Sequence, residues 1–219
     1  MKVNSIADLS IVEHSYQTAK REEFLSKGVN LIDPDTVYFS YGTEIENDVT
    51  IEQNVIFMNN VKLHSGAEIK AFTYLEDCEV FGGAIIGPFA RIRPESVIGQ
   101  NSRVGNFCEI KKSYLGNGTK VSHLSYIGDS DIGEQTNIGA GTITCNYDGY
   151  SKFNTKIGSN SFVGSNTIFI APVSIGDNTL TAAGSVITKD VDSNSLAITR
   201  SEQKNIQNGM IKYRSKRNK

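Results

Sequence analysis

Residues 45–75 read I-ENDVT-I-EQNVI-F-MNNVK-L-HSGAE-I-KAFTY-L, and a large apolar residue returns at every sixth position. Beyond Ile45, Ile51, Phe57, Leu63, Ile69 and Leu75, one five-residue step restarts the count at Val80, Ile86, Ile92, Ile98, Val104 and Ile110. Two more such steps lead to Leu115, Val121 and Ile127, then to Ile132, Ile138 and Thr144. After a longer gap the series closes with Ile157, Val163, Phe169, Ile175, Thr181 and Ile187, making 24 positions. Two residues before many of them stands a small or β-branched residue, as at Thr43, Ala67, Cys78, Ala90, Cys108, Ser125, Thr136, Thr167 and Ser185. A period of six matches neither the 3.6 of a helix nor the 2 of a flat strand. It is the pattern of an all-β parallel β-helix, a prism wrapped by short strands, in which each coil buries its apolar groups only against its neighbours. At three strands per coil this gives about eight coils, a prism roughly 40 Å long at the usual strand spacing. The six-residue register argues against a sandwich of short strands.

Corner chemistry agrees. Glu46-Asn47-Asp48, Gly99-Gln100-Asn101, Gly116-Asn117-Gly118 and Gly176-Asp177-Asn178 supply the Asn and Gly that tolerate positive φ. Residues 5–27 read as a short helix, capped by Ser5 and stopped by Gly28, with Leu9, Val12, Tyr16 and Ala19 on one face. It is expected to lie across the open start of the prism and cover strand edges. The expected domains are an N-terminal helix and lead-in at 1–40, the prism at 41–190 and an irregular C-terminal tail at 191–219.

Composition narrows the class. The 219 residues carry a formal charge of −2, and no run approaches a membrane span. No secretion-signal profile opens the chain. Three cysteines argue against a disulfide framework and for a cytoplasmic setting. Cys78 and Cys108 occupy inward slots as core fillers, whereas Cys145 lies in the gap. Residues 188–219 hold eight Lys or Arg against three Asp or Glu, including Arg217 and Lys219, a solvated end without the interleaved aromatics of a nucleic-acid surface. The beat breaks between Thr144 and Ile157, so residues near 145–151 must leave the prism as a loop, where function tends to reside.

Several longer motifs carry a resemblance. Residues 87–94 (GPFARIRP), 104–112 (VGNFCEIKK), 123–129 (HLSYIGD) and 137–149 (NIGAGTITCNYDG) resemble, in order, the acetyltransferase half of the bacterial GlmU family. The resemblance covers nearly the whole chain and implies a left-handed coil, against the common handedness of parallel crossovers. It implies acetyl transfer from acetyl-CoA to the 2-amine of glucosamine 1-phosphate, without a metal, by a homotrimer with shared active sites. The family's nucleotide-binding uridylyltransferase domain has no counterpart here, so the chain is expected to be either a naturally separate acetyltransferase, working beside a separate uridylyltransferase, or an excised half. Ser201-Glu202-Gln203-Lys204 also departs from the family tail.

The same resemblance assigns His123 as general base, a role suited to an imidazole that is mostly neutral at pH 7. Arg93 and Lys111, one coil apart, match phosphate-binding positions. Tyr126 and Asn137 match sugar-binding positions. Ala140, Asn146, Tyr147, Ser165, Ala183 and Arg200 match acetyl-CoA positions, with Arg200 toward CoA phosphate. Glu109 is a candidate to orient His123. His14 and His64 read as surface. Other readings are acyl transfer to a different amino sugar or to serine, and a non-catalytic scaffold. A carbonic anhydrase on the same prism needs three converging histidines, and the spacing of His14, His64 and His123 does not bring them to one level.

Overall fold

All 24 counted positions fall in short parallel strands of the computed structural model, which describes residues 2–216. The strands form three parallel sheets of ten, nine and eight strands, each strand pairing with those one coil before and after it. Partners stand 18 residues apart, as in Ile45↔Leu63 and Ile51↔Ile69, or 17 across a five-residue step, as in Leu63↔Val80. The large residues of successive coils therefore stack directly. Phe57, Leu63, Ile69, Leu75, Ile92, Ile110 and Phe169 are fully buried.

The small slots add cross-coil bonds. Ser102, Thr119 and Thr136 hydroxyls donate to the Gly116, Gly133 and Gly158 carbonyls at 2.9, 2.8 and 2.7 Å. The Cys108 thiol points at the Val121 carbonyl, 3.3 Å away. Burial pushes the Cys78 thiol up to about 12, which leaves it a core filler rather than a nucleophile.

The ladder is longer at both ends than the hexad count. Strands Asn30–Leu31 and Tyr38–Phe39 begin the first and second sheets, and Leu196–Ala197 ends the first. The prism thus has about nine coils, and boundaries at 41 and 190 cut through it. A 3₁₀ turn over Pro34–Thr36 puts Leu31 off the six-residue step, Phe39 keeps that step with Ile45, and Ala197 is too small to mark a rung. Nor is the tail irregular throughout, since a helix forms over Gly209–Ser215. Arg217 and Lys219 lie outside the described residues.

The N-terminal helix, α1 (Ile6–Ser26), starts with a capping box between Ser5 and Asp8 and is followed by Gly28 at φ 85°. Its buried residues are Gln17 and Phe24; of the expected face Val12 and Tyr16 are half-buried while Leu9 and Ala19 are exposed, so the docked face is turned from the one expected. Phe24 packs on Phe39, with ring centroids 4.9 Å apart, and Phe39 on Phe57 at 5.1 Å. Gln17 completes the first edge. Its amide donates to the Phe39 carbonyl at 2.7 Å and accepts from the Phe39 N–H at 2.9 Å, as an adjoining strand would. Gln17→Ala orphans both groups, and a loss of about 1–3 kcal/mol is expected. Chemical denaturation would show it as a lower midpoint, with secondary structure otherwise kept.

Candidate active site

The corner between the first and second sheets repeats one backbone turn on successive coils. Asn54, Phe72, Phe89, Phe107, Leu124, Gly141, Asn166 and Gly184 all take positive φ there. From Phe72 to Leu124 the turn residues are bulky and exposed, and Phe72, Phe89 and Phe107 form a stack with centroids 4.9 and 5.4 Å apart. From Gly141 onward the ridge gives way to small or polar residues. Immediately before these turn residues stand Asn106, His123, Ala140, Ser165 and Ala183, one above another. The Gly141 N–H donates to the His123 carbonyl at 3.2 Å, Asn166 to Ala140 at 2.7 Å, and Gly184 to Ser165 at 2.8 Å. Arg200 closes the column by donating Nη1 to the Ala183 carbonyl at 3.0 Å. From His123 to Ala183 is three coil steps, roughly 14 Å. A narrow track thus starts at His123 where the aromatic ridge ends.

His123 ends the strand Lys120–His123, and its ring is exposed in a groove with Gly87, Pro88, Arg103, Gly105 and Ser122. Its Nδ1 lies 3.0 Å from Asn106 Oδ1, one coil below. Glu109, the expected orienting group, instead binds Arg93, Nη1 to Oε1 at 2.7 Å. The reason is register. Asn106 pairs with His123 across adjacent strands, whereas Glu109 pairs with Arg91 and Tyr126 on the second sheet.

The opposite edge of the second sheet carries the cationic groups. Lys111 ends the strand Glu109–Lys111 and lies 3.5 Å from Asp129. Arg93 donates its backbone N–H to the Ile110 carbonyl, so Arg93 and Lys111 sit on consecutive levels, as their spacing implies. Lys152, from the inserted loop, joins them. Its contact, with the Asp129 carboxylate, holds the Lys111 ammonium above the ordinary lysine range, and the Lys111 charge in turn pushes Lys152 down. Asp129 is buried and also accepts a hydrogen bond from the Asn146 amide. Tyr126 lies between the two corners with its hydroxyl over Gly128, where a Cβ would come within 2.5 Å of it. Asn137 faces outward on the first sheet between Lys120 and Phe162.

One chain therefore unites His123, Ala140, Ser165, Ala183 and Arg200 along one corner, flanked by Asn137 and Tyr126. Arg93, Lys111, Asn146 and Tyr147 gather at the next corner. Asn146 is buried in its bond to Asp129, while Tyr147 is exposed on the loop. The sequence reading missed Asn106, Asp129 and Lys152. The first two are partners of assigned residues one coil away, so the 17- or 18-residue spacing is the signal that finds them. His64 is also more than surface. Its two ring nitrogens lie 3.0 and 2.7 Å from Glu46 and Glu79, stapling three coils. His14 stays on α1, so the three histidines stand apart.

A family model described as the GMPPB C-terminal domain matches residues 81–197, more than half of the chain. The chain belongs to that family. The bifunctional protein GlmU of Zymomonas mobilis is 48% identical over 99% of this chain and 48% of its own length. GlmU of Anaplasma marginale is 50% identical over 93% of the chain and 47% of its own length. These matches bear out the resemblance to the GlmU acetyltransferase half. The chain spans about half the length of the curated relatives it matches. Among solved structures, LpxA from Acinetobacter baumannii is 13% identical over 84% of this chain and 77% of that one, with a TM-score of 0.46.

Asp129 holds the loop to the coil beneath it. Asp129→Ala removes the Asn146 acceptor and the Lys111 counter-charge, and the Phe153 N–H, which donates to the Asn146 carbonyl at 2.8 Å, should lose protection. Hydrogen exchange at Phe153 should accelerate by about tenfold or more, the worth of one charge-assisted bond.

Proposed function

We propose that the protein transfers an acetyl group from acetyl-CoA to the 2-amine of glucosamine 1-phosphate. The observation that carries this reading is the track in which His123, Ala140, Ser165, Ala183 and Arg200 succeed one another, coil by coil, beyond the end of the aromatic ridge. An extended pantetheine arm fits a straight track of small residues, with the thioester at the His123 end and CoA phosphates toward Arg200. Ser165 faces the arm two coils along from His123. Nearly half the residues are shared with GlmU over almost the whole chain, which supports the same assignment.

In this reading the amine attacks the thioester carbonyl as His123 Nε2 takes its proton. The carbon–sulfur bond then breaks, and the leaving thiolate recovers a proton from the imidazolium. Asn137 and Tyr126 hold the sugar. Arg93 and Lys111 hold the phosphate, Arg93 pre-oriented by Glu109 and Lys111 kept protonated. No metal ion takes part. Asn146 and Tyr147 stand at the next corner with Arg93 and Lys111, and in this reading that corner faces the track of a neighbouring prism in a homotrimer with shared sites. The exposed ridge of Phe72, Phe89, Phe107 and Leu124 favours such packing. The setting is cytoplasmic; among the described residues no helix is long and apolar enough to cross a membrane. Uridylyl transfer, the second activity of the family, is the work of another domain or protein.

Release of CoA thiol from acetyl-CoA tests this directly, with glucosamine 1-phosphate as acceptor and glucosamine 6-phosphate and glucosamine as controls. Turnover should be confined to the 1-phosphate, and His123→Ala should lower kcat by about 10²–10⁴-fold. Turnover with another acceptor would move the assignment to a different amino sugar. No turnover with any of them would leave a scaffold.

A further inference from the structure

We infer that Asn106 is a positioning residue, which selects the ring tautomer of His123 and thereby exposes its basic nitrogen to the substrate amine. The inference rests on His123 being the base. An amide oxygen accepts hydrogen bonds and cannot donate them. With the Asn106 amide turned so that Oδ1 meets the ring, its 3.0 Å contact with His123 Nδ1 places the proton on Nδ1. Nε2 is left with its lone pair toward the groove, where a base must present it.

Three features hold this contact in place. Asn106 and His123 are register partners on adjacent strands, and the Leu124 N–H donates to the Asn106 carbonyl at 3.1 Å. Both residues precede a positive-φ turn, at Phe107 and Leu124, so their side chains leave the prism in the same direction. Gly105 permits the close approach: a Cβ there would lie 2.0 Å from the Ser122 carbonyl oxygen. The backbone is thus built to bring this one amide beneath this one ring.

The identity of the partner matters. A carboxylate at position 106 would also hold the Nδ1–H tautomer, but it would favour the imidazolium and raise the pH needed to free Nε2. The neutral amide orients the ring without that cost. No other group in the groove supplies the missing charge. Among the described residues its lining brings one charged side chain, Arg103, and no carboxylate, while Glu109 is held by Arg93.

The test compares wild type with Asn106→Ala and the near-isosteric Asn106→Asp, by nitrogen-15 NMR of the ring and by acetyl-transfer kinetics. The chain has only three histidines, so His14→Gln and His64→Gln variants assign the His123 signals. Above its titration midpoint wild-type His123 should carry its proton on Nδ1, and in Asn106→Ala the proton should move to Nε2. The Ala variant should lose about tenfold in kcat, with KM for both substrates within about twofold, consistent with one lost orienting bond. In Asn106→Asp the Nδ1–H tautomer should persist. Its His123 midpoint and the acid limb of kcat/KM should rise together by about one pH unit. Persistence of the Nδ1 proton in Asn106→Ala overturns the inference, as does an unchanged kcat or an acid limb that stays put in Asn106→Asp. Should Asn106→Ala fail to fold, Asn106→Asp alone decides through the shared movement of midpoint and limb. If wild type transfers no acetyl group, or His123→Ala keeps full activity, the assigned reaction or base fails. The ring spectra still report on the Asn106 contact in that case.

Discussion

The stacking of one coil on the next is the interaction on which everything else depends. A two-residue strand such as Ile51 with Thr50 has no stability alone, and its carbonyls and N–H groups are satisfied only by coils above and below. Large side chains repeat at the same point of each coil, so the core is a column of identical contacts rather than a jigsaw of unlike ones. The cost of such a design falls at its ends, where a row of backbone groups has no partner. α1 meets it at the N-terminal end with the Gln17 amide on Phe39 and the Phe24 ring over the first rungs.

The same stacking gives the site its geometry. A residue's height on the prism is set by counting coils, and its azimuth by its place within the hexad. His123, Ala140, Ser165 and Ala183 form a line because they hold one place in four successive coils. What changes along that line is the side chain at that place and at the following turn. A phenyl or isobutyl group there builds a wall, and a hydrogen atom at Gly141 or Gly184 opens a path. Function is written onto a repetitive scaffold by small departures from repetition, and the loop after Cys145 is the largest of them.

The parts legible in the sequence are those that repeat. The strands at Ile45 through Ile187, the break after Thr144 and the vertical alignment of Arg93 with Lys111 follow from arithmetic on residue numbers. The rungs at Leu31 and Ala197 were hidden because a 3₁₀ turn or a small side chain breaks the count, whereas Phe39 continues the six-residue step below Ile45. Gln17 was hidden for another reason. A polar residue on a helix reads as solvent-facing, and only the nearby strand edge makes burial favourable. Glu109 looked like the partner of His123 because the two lie close in sequence, but azimuth separates them. Asn106 lies further away in sequence and one coil below in space, and the carboxylate goes to Arg93 instead.

The offset of 17 or 18 residues between most strand partners has a kinetic meaning as well. Sheet proteins usually fold slowly because their contacts join distant parts of the chain, and the entropy of closing large loops comes before any reward. Here nearly every pairing closes a loop of the same short size, about 0.08 of the chain length, a separation typical of helical bundles. Once a few coils stand, each further coil adds at a ready-made edge, as a zipper does. The widest pairings, Ser130 with Thr155, Asn137 with Phe162 and Ile143 with Ile168, all span the inserted loop and are then the slowest teeth. The segment that departs from the repeat to serve the active site is also where growth of the prism pauses.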